Sequence, residues 1–134
     1  MMNYRHTILV VDDDAFIRRP LEFILRQEGF DPLTADGGPA CMEQLAANRP
    51  DLIIMDVMMP GTDGFELCKT IKREDRYANI PIILLSARNR DLDKERGLSL
   101  GAADFLAKPY SPSELLGRVR EILSEKETKE GSTR

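Results

Sequence analysis

The chain has 134 residues and a formal net charge of −4, with 42% hydrophobic and 31% charged residues. This length fits one domain, and a chain of this size buries enough surface on folding to need no disulfide or metal for stability. The acidic balance argues against a dedicated nucleic-acid binder. The longest apolar runs have four residues, too few for a membrane-spanning helix or the core of a signal peptide. We therefore expect a soluble cytoplasmic protein.

Cysteine and histidine are scarce, which excludes several kinds of site. The two cysteines, Cys41 and Cys68, form no C-x-x-C pair and have no histidine near them in the sequence. We therefore expect two reduced core residues. The single histidine, His6, precedes the first predicted strand. A structural zinc site and a histidine-based catalytic triad are excluded on these grounds.

The first half of the chain alternates strands and helices. An apolar run at 8–11 predicts a strand buried on both faces, and helically spaced apolar residues at 17–25 predict the helix that follows. Gly29 is a typical stop signal for that helix, and the less apolar segment 33–35 predicts an edge strand. A second helix is expected to begin at Pro39, because proline is favoured in the first turn of a helix.

The same alternation continues in the second half. Apolar runs at 52–55 and 82–85 predict two further buried strands, and the apolar stripe at 65–71 predicts a helix between them. The helix predicted after 82–85 has the weakest stripe, so we expect it to be packed least firmly. Its apolar residues are Leu92, Leu98 and Leu100.

The last elements complete five strand–helix pairs in a single domain. The segment 105–107 predicts a second edge strand, and the clean apolar stripe at 115–123 predicts the final helix. We assign residues 7–124 to the domain and residues 1–6 to an N-terminal lead. The C-terminal tail 125–134 is polar, and we expect it to be frayed or disordered.

This alternation of strands and helices with short connections is typical of an α/β fold. We predict a doubly wound, five-stranded parallel sheet with five helices distributed over both faces. Three central strands and two edge strands suit the order 2-1-3-4-5. In such sheets ligands bind at the carboxyl ends of the strands, near the switch point beside the first strand. Candidate functional residues are therefore expected directly after the strands.

Polar residues that could form one site follow four of the predicted strands. They are Asp12, Asp13 and Asp14 after the first strand, Asp56 after the third, Ser86 at the end of the fourth and Lys108 after the fifth. Because parallel strands end at the same edge of the sheet, these side chains are expected to converge. Asp14 is better explained as the N-cap of the first helix than as part of the site.

The chemistry of this cluster favours a metal ion and a phosphoryl group. Carboxylates crowded at the mouth of an apolar sheet repel one another unless a cation joins them. Mg²⁺ fits because it prefers oxygen ligands, and Mn²⁺ is a second candidate. With that charge reduced, Asp56 could attack a phosphoryl group and form an acyl phosphate. Lys108 and Ser86 would then bind phosphoryl oxygens, as a cation and a hydroxyl donor.

At these residues the chain resembles the receiver domain of two-component response regulators, a CheY-like family. The matching stretches are 8–13, 51–56, 58–64, 81–87 and 108–109, in the order in which the family has them. The resemblance covers the whole predicted domain. It implies a flavodoxin-like fold and signal transduction through a phosphorelay.

The resemblance implies a role for each residue of the metal site. Asp56 is the phosphoacceptor and also contacts the metal. Asp12 and Asp13 are the acidic metal pair, with Asp13 the more direct ligand. Met58 contributes its backbone carbonyl, so its side chain is no obstacle to metal binding. The metal that the resemblance implies is Mg²⁺.

The resemblance also implies a conformational switch. Ser86 is the switch hydroxyl, and Lys108 is the lysine that binds the phosphoryl group. Phe105 stands where the family keeps an aromatic residue that turns inward when the switch hydroxyl moves, although plain packing of an edge strand explains it equally well. The peptide bond before Pro109 is expected to be cis, as is usual in the family.

Partners follow from the same resemblance. A sensor histidine kinase or a histidine phosphotransfer protein donates the phosphoryl group, and the chain assists its own phosphorylation and dephosphorylation without being a turnover enzyme. Output runs through the fourth helix, fifth strand and fifth helix, to a downstream effector protein, to a C-terminal output domain missing from this sequence, or to a homodimer that forms on phosphorylation. No direct contact with nucleic acid or a membrane is expected. The polar residues of this output face, which would equally suit a solvated surface, are Lys94, Arg96, Asp104, Glu114, Arg118 and Arg120.

Other functions fit the sequence less well. P-loop and dinucleotide-binding glycine motifs are absent, and the acids after the first strand would repel the phosphate of FMN. An aspartyl-phosphate phosphatase of the haloacid dehalogenase kind needs an acid–base Asp two residues after the nucleophile, where Met58 stands. A pseudo-receiver that only binds a partner is a third alternative, although the chain lacks none of the essential residues.

Overall fold

Five parallel strands form the central sheet of the computed structural model, which describes residues 5–87 and 90–132. The order across the sheet is β2-β1-β3-β4-β5, and every neighbouring pair is parallel. The predicted doubly wound fold and its strand order are therefore confirmed. The strands are β1 (Thr7–Val11), β2 (Asp31–Ala35), β3 (Leu52–Asp56), β4 (Ile82–Ser86) and β5 (Asp104–Ala107).

Helices cover both faces of the sheet. Helices α1 and α5 pack on one face, and α2, α3 and α4 pack on the other. Strand β3 shows why, because Leu52 and Ile54 enter one apolar cluster while Ile53 and Met55 enter the other. Within the described residues the helices are α1 (Ala15–Gln27), α2 (Gly38–Asn48), α3 (Gly64–Arg73), α4 (Arg90–Ser99) and α5 (Pro112–Ser132).

Two helices next to the carboxyl ends of the strands begin at aspartate caps. The side chain of Asp14 accepts a hydrogen bond of 2.8 Å from the backbone nitrogen of Phe16, which confirms the predicted cap of α1. Asp63 caps α3 in the same way, with a bond of 2.9 Å from the nitrogen of Phe65. Asp63 also belongs to a short antiparallel hairpin, Met58–Met59 with Thr62–Asp63, which the sequence did not predict.

Helix α4 is packed differently from the prediction. Leu92 and Leu98 were expected to face the core, but their exposed fractions are 64% and 43%. Among residues 91–99 the buried positions are Asp93 and Gly97, about one turn apart. The predicted stripe was wrong for Leu92 and Leu98, because the helix is rotated so that a carboxylate and a glycine face the sheet. Leu100, just beyond the helix, packs against the core as predicted. Gly97 fits there because a Cβ would lie 2.8 Å from Leu84 Cδ1.

Helix α5 extends beyond the apolar stripe that predicted it and continues through Ser132. The expectation that the polar tail 125–134 is frayed or disordered stays a prediction. The tail is rich in Glu and Lys, which have high helix propensity. It also has tertiary contacts, since Glu127 pairs with His6 at 2.8 Å. No helix in the described part of the chain is both long and apolar enough to cross a membrane.

Both cysteines are free and completely buried, as predicted. Burial raises the pKa of Cys41 to about 12. Burial also raises the pKa of Cys68. Thiols in such surroundings are inert core residues.

Gly64 lies where α3 begins against the end of β3. A Cβ at this position would lie 2.5 Å from the carbonyl oxygen of Asp56 and 2.5 Å from the Cα of Val57. Such a contact is with backbone, which has no flexible end to move away. The close approach therefore requires glycine and fixes the segment that carries Asp56.

We expect Gly64→Ala to lower the free energy of unfolding by about 1–3 kcal/mol, the usual cost of overpacking a core. Gly117→Ala is the matched control, because a Cβ on Gly117 in α5 has nothing within 4 Å. That control should be neutral or stabilising by up to about 1 kcal/mol, since alanine favours helix. Urea denaturation followed by circular dichroism measures both, and equal stabilities of the two variants would contradict the close-approach explanation.

Candidate functional site

Three carboxylates meet at the carboxyl edge of the sheet. Asp12 and Asp13 follow β1, and Asp56 is the last residue of β3. One carboxylate oxygen from each residue lies within 4.8 Å of the other two. Asp12 and Asp56 are only 3% and 6% exposed, whereas Asp13 is open to solvent. The cluster therefore has a buried floor and one accessible ligand at its rim.

Asp12 is held by bonds to backbone and to an arginine. Its Oδ1 accepts a bond of 2.9 Å from the nitrogen of Asp14, and its carbonyl accepts one of 2.7 Å from Arg18 Nη1. Its Oδ2 is buried and has no hydrogen-bond donor among the described residues. Burial raises the pKa of Asp12, the bond from Asp14 and the charge of Lys108 oppose that rise, and the charge of Asp56 adds to it. A cation at Oδ2 would offset both the cost of burying this carboxylate and its repulsion by Asp56.

Lys108 supplies an ammonium group to this cluster. Its Nζ lies 3.1 Å from Asp56 Oδ1 and 3.7 Å from Asp12 Oδ2. Its backbone nitrogen donates to the carbonyl of Ser86 at 2.8 Å, which ties the residue after β5 to the end of β4. The peptide bond between Lys108 and Pro109 is cis, as the resemblance implied. The lysine thus offsets part of the negative charge without saturating Asp12.

These residues fit a divalent cation. The donors are carboxylate oxygens, which Mg²⁺ prefers, and one of them is a buried oxygen without a donor among the described residues. Three carboxylates and one ammonium leave the cluster negative when ionised. The fit therefore rests on the donor set and on the unsatisfied oxygen of Asp12.

Ser86 is directed towards α4. Its Oγ donates a hydrogen bond of 2.6 Å to Asp93 Oδ2, and both residues are buried. Asp93 was not among the predicted site residues. The available signal was its position, because Asp93 and Gly97 share one face of α4 and a small residue at 97 permits a close approach to the sheet. Reading that face required the rotation of the helix, which the weak apolar stripe obscured.

The other predicted residues lie around this cluster. Met58 is exposed in the hairpin that follows β3, and Phe105 is buried in the core beneath α4. The carbonyl role of Met58 and the switch role of Phe105 stay predictions. Tyr110 had no predicted role, but burial raises its pKa, and the charges of Asp12 and Asp56 add to the rise. Its hydroxyl is therefore within electrostatic reach of the cluster.

An apolar cleft adjoins the site. It has a volume of about 470 Å³ and lies between α1 and the segment that follows β5. Phe16, at its edge, is 88% exposed. The lining includes Phe16, Pro20, Ile24, Lys108, Pro109 and Tyr110. An exposed apolar surface next to a charged site is typical of a place where another protein binds.

Known proteins are similar to this chain in sequence and fold. The phosphate regulon transcriptional regulatory protein PhoB of Escherichia coli K12 is 42% identical over 116 residues, which are 87% of this chain and 51% of PhoB. The sensory transduction protein RegX3 of Mycobacterium tuberculosis H37Rv is 37% identical over 117 residues, 87% of this chain and 50% of RegX3. The chain thus spans about half the length of these curated relatives.

A solved structure agrees with these sequence relatives. The chemotaxis response regulator CheY4 of Vibrio cholerae superposes with a TM-score of 0.83 at 31% identity, covering 89% of this chain and 99% of CheY4. The family described as response regulator receiver domain matches residues 8–120, which include every predicted site residue. Because the match extends from β1 into α5, the chain belongs to the family of response regulator receiver domains.

Proposed function

We propose that the chain accepts a phosphoryl group on Asp56 from a histidine kinase or a histidine phosphotransfer protein and so switches its protein contacts. Phosphorylation and Mg²⁺ binding are standard for receiver domains. The observation that carries the proposal is the Asp56 carboxylate 3.1 Å from Lys108, within a cluster whose Asp12 has an unsatisfied buried oxygen. A carboxylate in this position can act as a nucleophile, and the neighbouring Lys108 ammonium can neutralise negative charge on the phosphorylated product.

The proposed phosphoryl transfer needs only a few groups of the protein. A carboxylate oxygen of Asp56 forms a bond to phosphorus while the phosphorus–nitrogen bond of a phosphohistidine breaks and its electron pair returns to the imidazole. Lys108 binds a phosphoryl oxygen as a cation, and Ser86 donates its hydroxyl to another. Asp12, Asp13, Asp56 and the carbonyl of Met58 would hold Mg²⁺, or Mn²⁺ in its place. When bound, the metal supplies positive charge that offsets repulsion between carboxylate and phosphoryl oxygens.

The same groups would assist the return reaction. Water attacks phosphorus in the acyl phosphate, the bond between phosphorus and the Asp56 oxygen breaks, and inorganic phosphate and a proton leave as Asp56 regains its carboxylate. Each molecule acts on its own phosphoryl group, so the chain serves as a phosphoacceptor and not as a turnover enzyme. Its partner is a protein, because the apolar cleft beside Lys108 offers a macromolecular donor a surface that a small phosphodonor does not need.

The output face proposed for this chain consists of α4, β5 and α5. Leu92 and Leu98 are exposed on α4 among charged side chains, a composition that suits an interface. Arg118 is bonded within the chain to Asp104 and, at 2.8 Å, to Glu121. The face would contact an effector protein, a C-terminal output domain or a second copy of the chain. The half-length match to PhoB and RegX3 supports a role beside an output domain.

The alternative functions have less support. A haloacid-dehalogenase-like phosphatase needs an acid–base carboxylate two residues after Asp56, and the exposed Met58 cannot serve. A pseudo-receiver would not need the nucleophile, the lysine and the acidic pair together. The complete cluster therefore favours phosphoryl transfer over both.

We expect incubation with acetyl phosphate and Mg²⁺ to add one phosphoryl group to the chain, which intact mass spectrometry detects. The adduct should be labile to hydroxylamine, because an acyl phosphate is the product of a carboxylate nucleophile. Asp56→Asn should abolish the mass gain, and Asp75→Asn, which changes an exposed aspartate after α3, should leave it unchanged. A gain that survives in Asp56→Asn would refute the assignment.

We expect Asp13→Asn to weaken Mg²⁺ binding at least about 10-fold, since even indirect partners of a metal contribute about 10–100-fold to affinity. Asp14→Asn is the matched control, because it removes the same charge at the next residue while asparagine still caps α1. Chemical-shift titration with MgCl₂ measures both affinities. Equal losses in the two variants would indicate only a general effect of charge.

We expect the chain with beryllofluoride and Mg²⁺ to sediment as a dimer and the untreated chain to sediment as a monomer. Leu98→Asp should prevent the dimer by placing a charge in an apolar part of the output face. Phe23→Asp changes an exposed apolar residue on α1, outside the output face, and should leave the dimer intact. An unchanged monomer in beryllofluoride would argue against the homodimer and in favour of a different output partner.

A further inference from the structure

The hydrogen bond between Ser86 and Asp93 links the phosphoryl site to the most weakly packed helix. We propose that Asp93 is a positioning residue that retains the Ser86 hydroxyl on α4 and thereby sets how readily the domain switches when Asp56 is modified. This inference rests on the proposed function, in which Ser86 donates to a phosphoryl oxygen. It adds a residue of α4 that is not part of the charged cluster.

The Ser86 hydroxyl has only one proton to donate. A serine hydroxyl donates one hydrogen bond, and in this structure it donates to Asp93 Oδ2 at 2.6 Å. A carboxylate and an ionised phosphoryl group both act as acceptors. Ser86 therefore cannot donate to Asp93 and to a phosphoryl oxygen at the same time. The two bonds exclude each other, so phosphorylation of Asp56 competes with α4 for one proton.

Few buried side chains attach α4 to the sheet. Among residues 91–99 the buried residues are Asp93 and Gly97, and Asp93 is 8% exposed. Gly97 offers no side chain to the core. Arg96 adds a contact from the outside, with its guanidinium 4.3 Å from the centre of the Phe65 ring. The bond from Ser86 thus joins a buried residue of α4 directly to the last residue of β4.

The competition for the Ser86 proton and the weak attachment of α4 together make this helix the element that responds to phosphorylation of Asp56. When the hydroxyl turns to a phosphoryl oxygen, Asp93 loses a charge-assisted bond while it faces the sheet. Asp93 then has one donor fewer at a buried position, which weakens the attachment of α4 to the end of β4. A side chain at 93 that cannot accept the bond removes the competition in advance. Such a variant should reach the activated state more readily.

Beryllofluoride in the presence of Mg²⁺ is the probe, with its midpoint read from amide chemical shifts of the intact chain. Asp93→Ala should lower the midpoint about 10-fold, as loss of one competing bond to a charged group predicts. Asp93→Asn keeps an acceptor but not the charge and should lie between Asp93→Ala and wild type. Glu95→Ala, which removes an exposed carboxylate from the same helix, should match wild type.

Measurements in the Ser86→Ala variant distinguish a positioning role of Asp93 from structural damage caused by its substitution. If Asp93 acts through Ser86, then adding Asp93→Ala to Ser86→Ala should change the midpoint by less than about 2-fold. Amide exchange of α4 should be faster in Asp93→Ala than in wild type without any ligand, and Asp93→Asn covers the case in which the alanine variant does not fold.

The outcomes distinguish this inference from the function on which it rests. Failure of wild type to bind beryllofluoride would overturn the proposed function and this inference with it. Binding by wild type, with the same effect of Asp93→Ala in both Ser86 backgrounds, would overturn the positioning role alone. A higher midpoint in Asp93→Ala would overturn it as well, because it would make the Ser86–Asp93 bond a support of the activated state.

Discussion

The burial of two carboxylates beside one ammonium group is the constraint on which the site depends. Asp12 and Asp56 lie almost without solvent, and burial together with the Asp56 charge raises the pKa of Asp12. Lys108 lies nearer to Asp56 than to Asp12, at 3.1 Å against 3.7 Å. Its charge therefore offsets the pair unequally, and Asp12 retains an unsatisfied oxygen among the described residues. Affinity for a cation follows from that imbalance.

Backbone geometry brings these charges together and keeps them there. The nitrogen of Asp12 donates to the carbonyl of Ala35 at 3.1 Å, so the sheet pairing continues up to the first acidic residue. The bond from Lys108 to Ser86 extends the pairing on the other side in the same way. Gly64 lets α3 begin directly against Asp56. Because main-chain contacts hold all three strand ends, the repulsion between the carboxylates cannot relax by separating them.

The sequence predicted those parts of the molecule that depend on buried strands. Runs such as 52–55 and 82–85 are apolar on both faces, and parallel strands bring whatever follows them to one edge, so the positions of Asp12, Asp56 and Lys108 could be derived. The partner of Ser86 could not be derived from the sequence. It depends on the rotation of α4 about its own axis, which an apolar stripe usually reveals. Among residues 91–99 the inward positions hold Asp93 and a glycine, so Leu92 and Leu98 indicated the wrong face of α4.

That same departure from an apolar pattern explains why α4 is suited to respond. Helix α5 buries five large apolar side chains over 115–123, each worth about 1.5–3 kcal/mol, and a single bond at the site cannot displace it. Helix α4 buries a carboxylate and a glycine, and its bond to Ser86 is worth about 1.5–3 kcal/mol as a charge-assisted contact. Because α4 buries no large apolar side chain among residues 91–99, the loss of this bond weakens its attachment more than the loss of one bond would weaken α5. A chemical event at Asp56 that takes the Ser86 proton therefore acts on a helix that apolar burial holds only weakly.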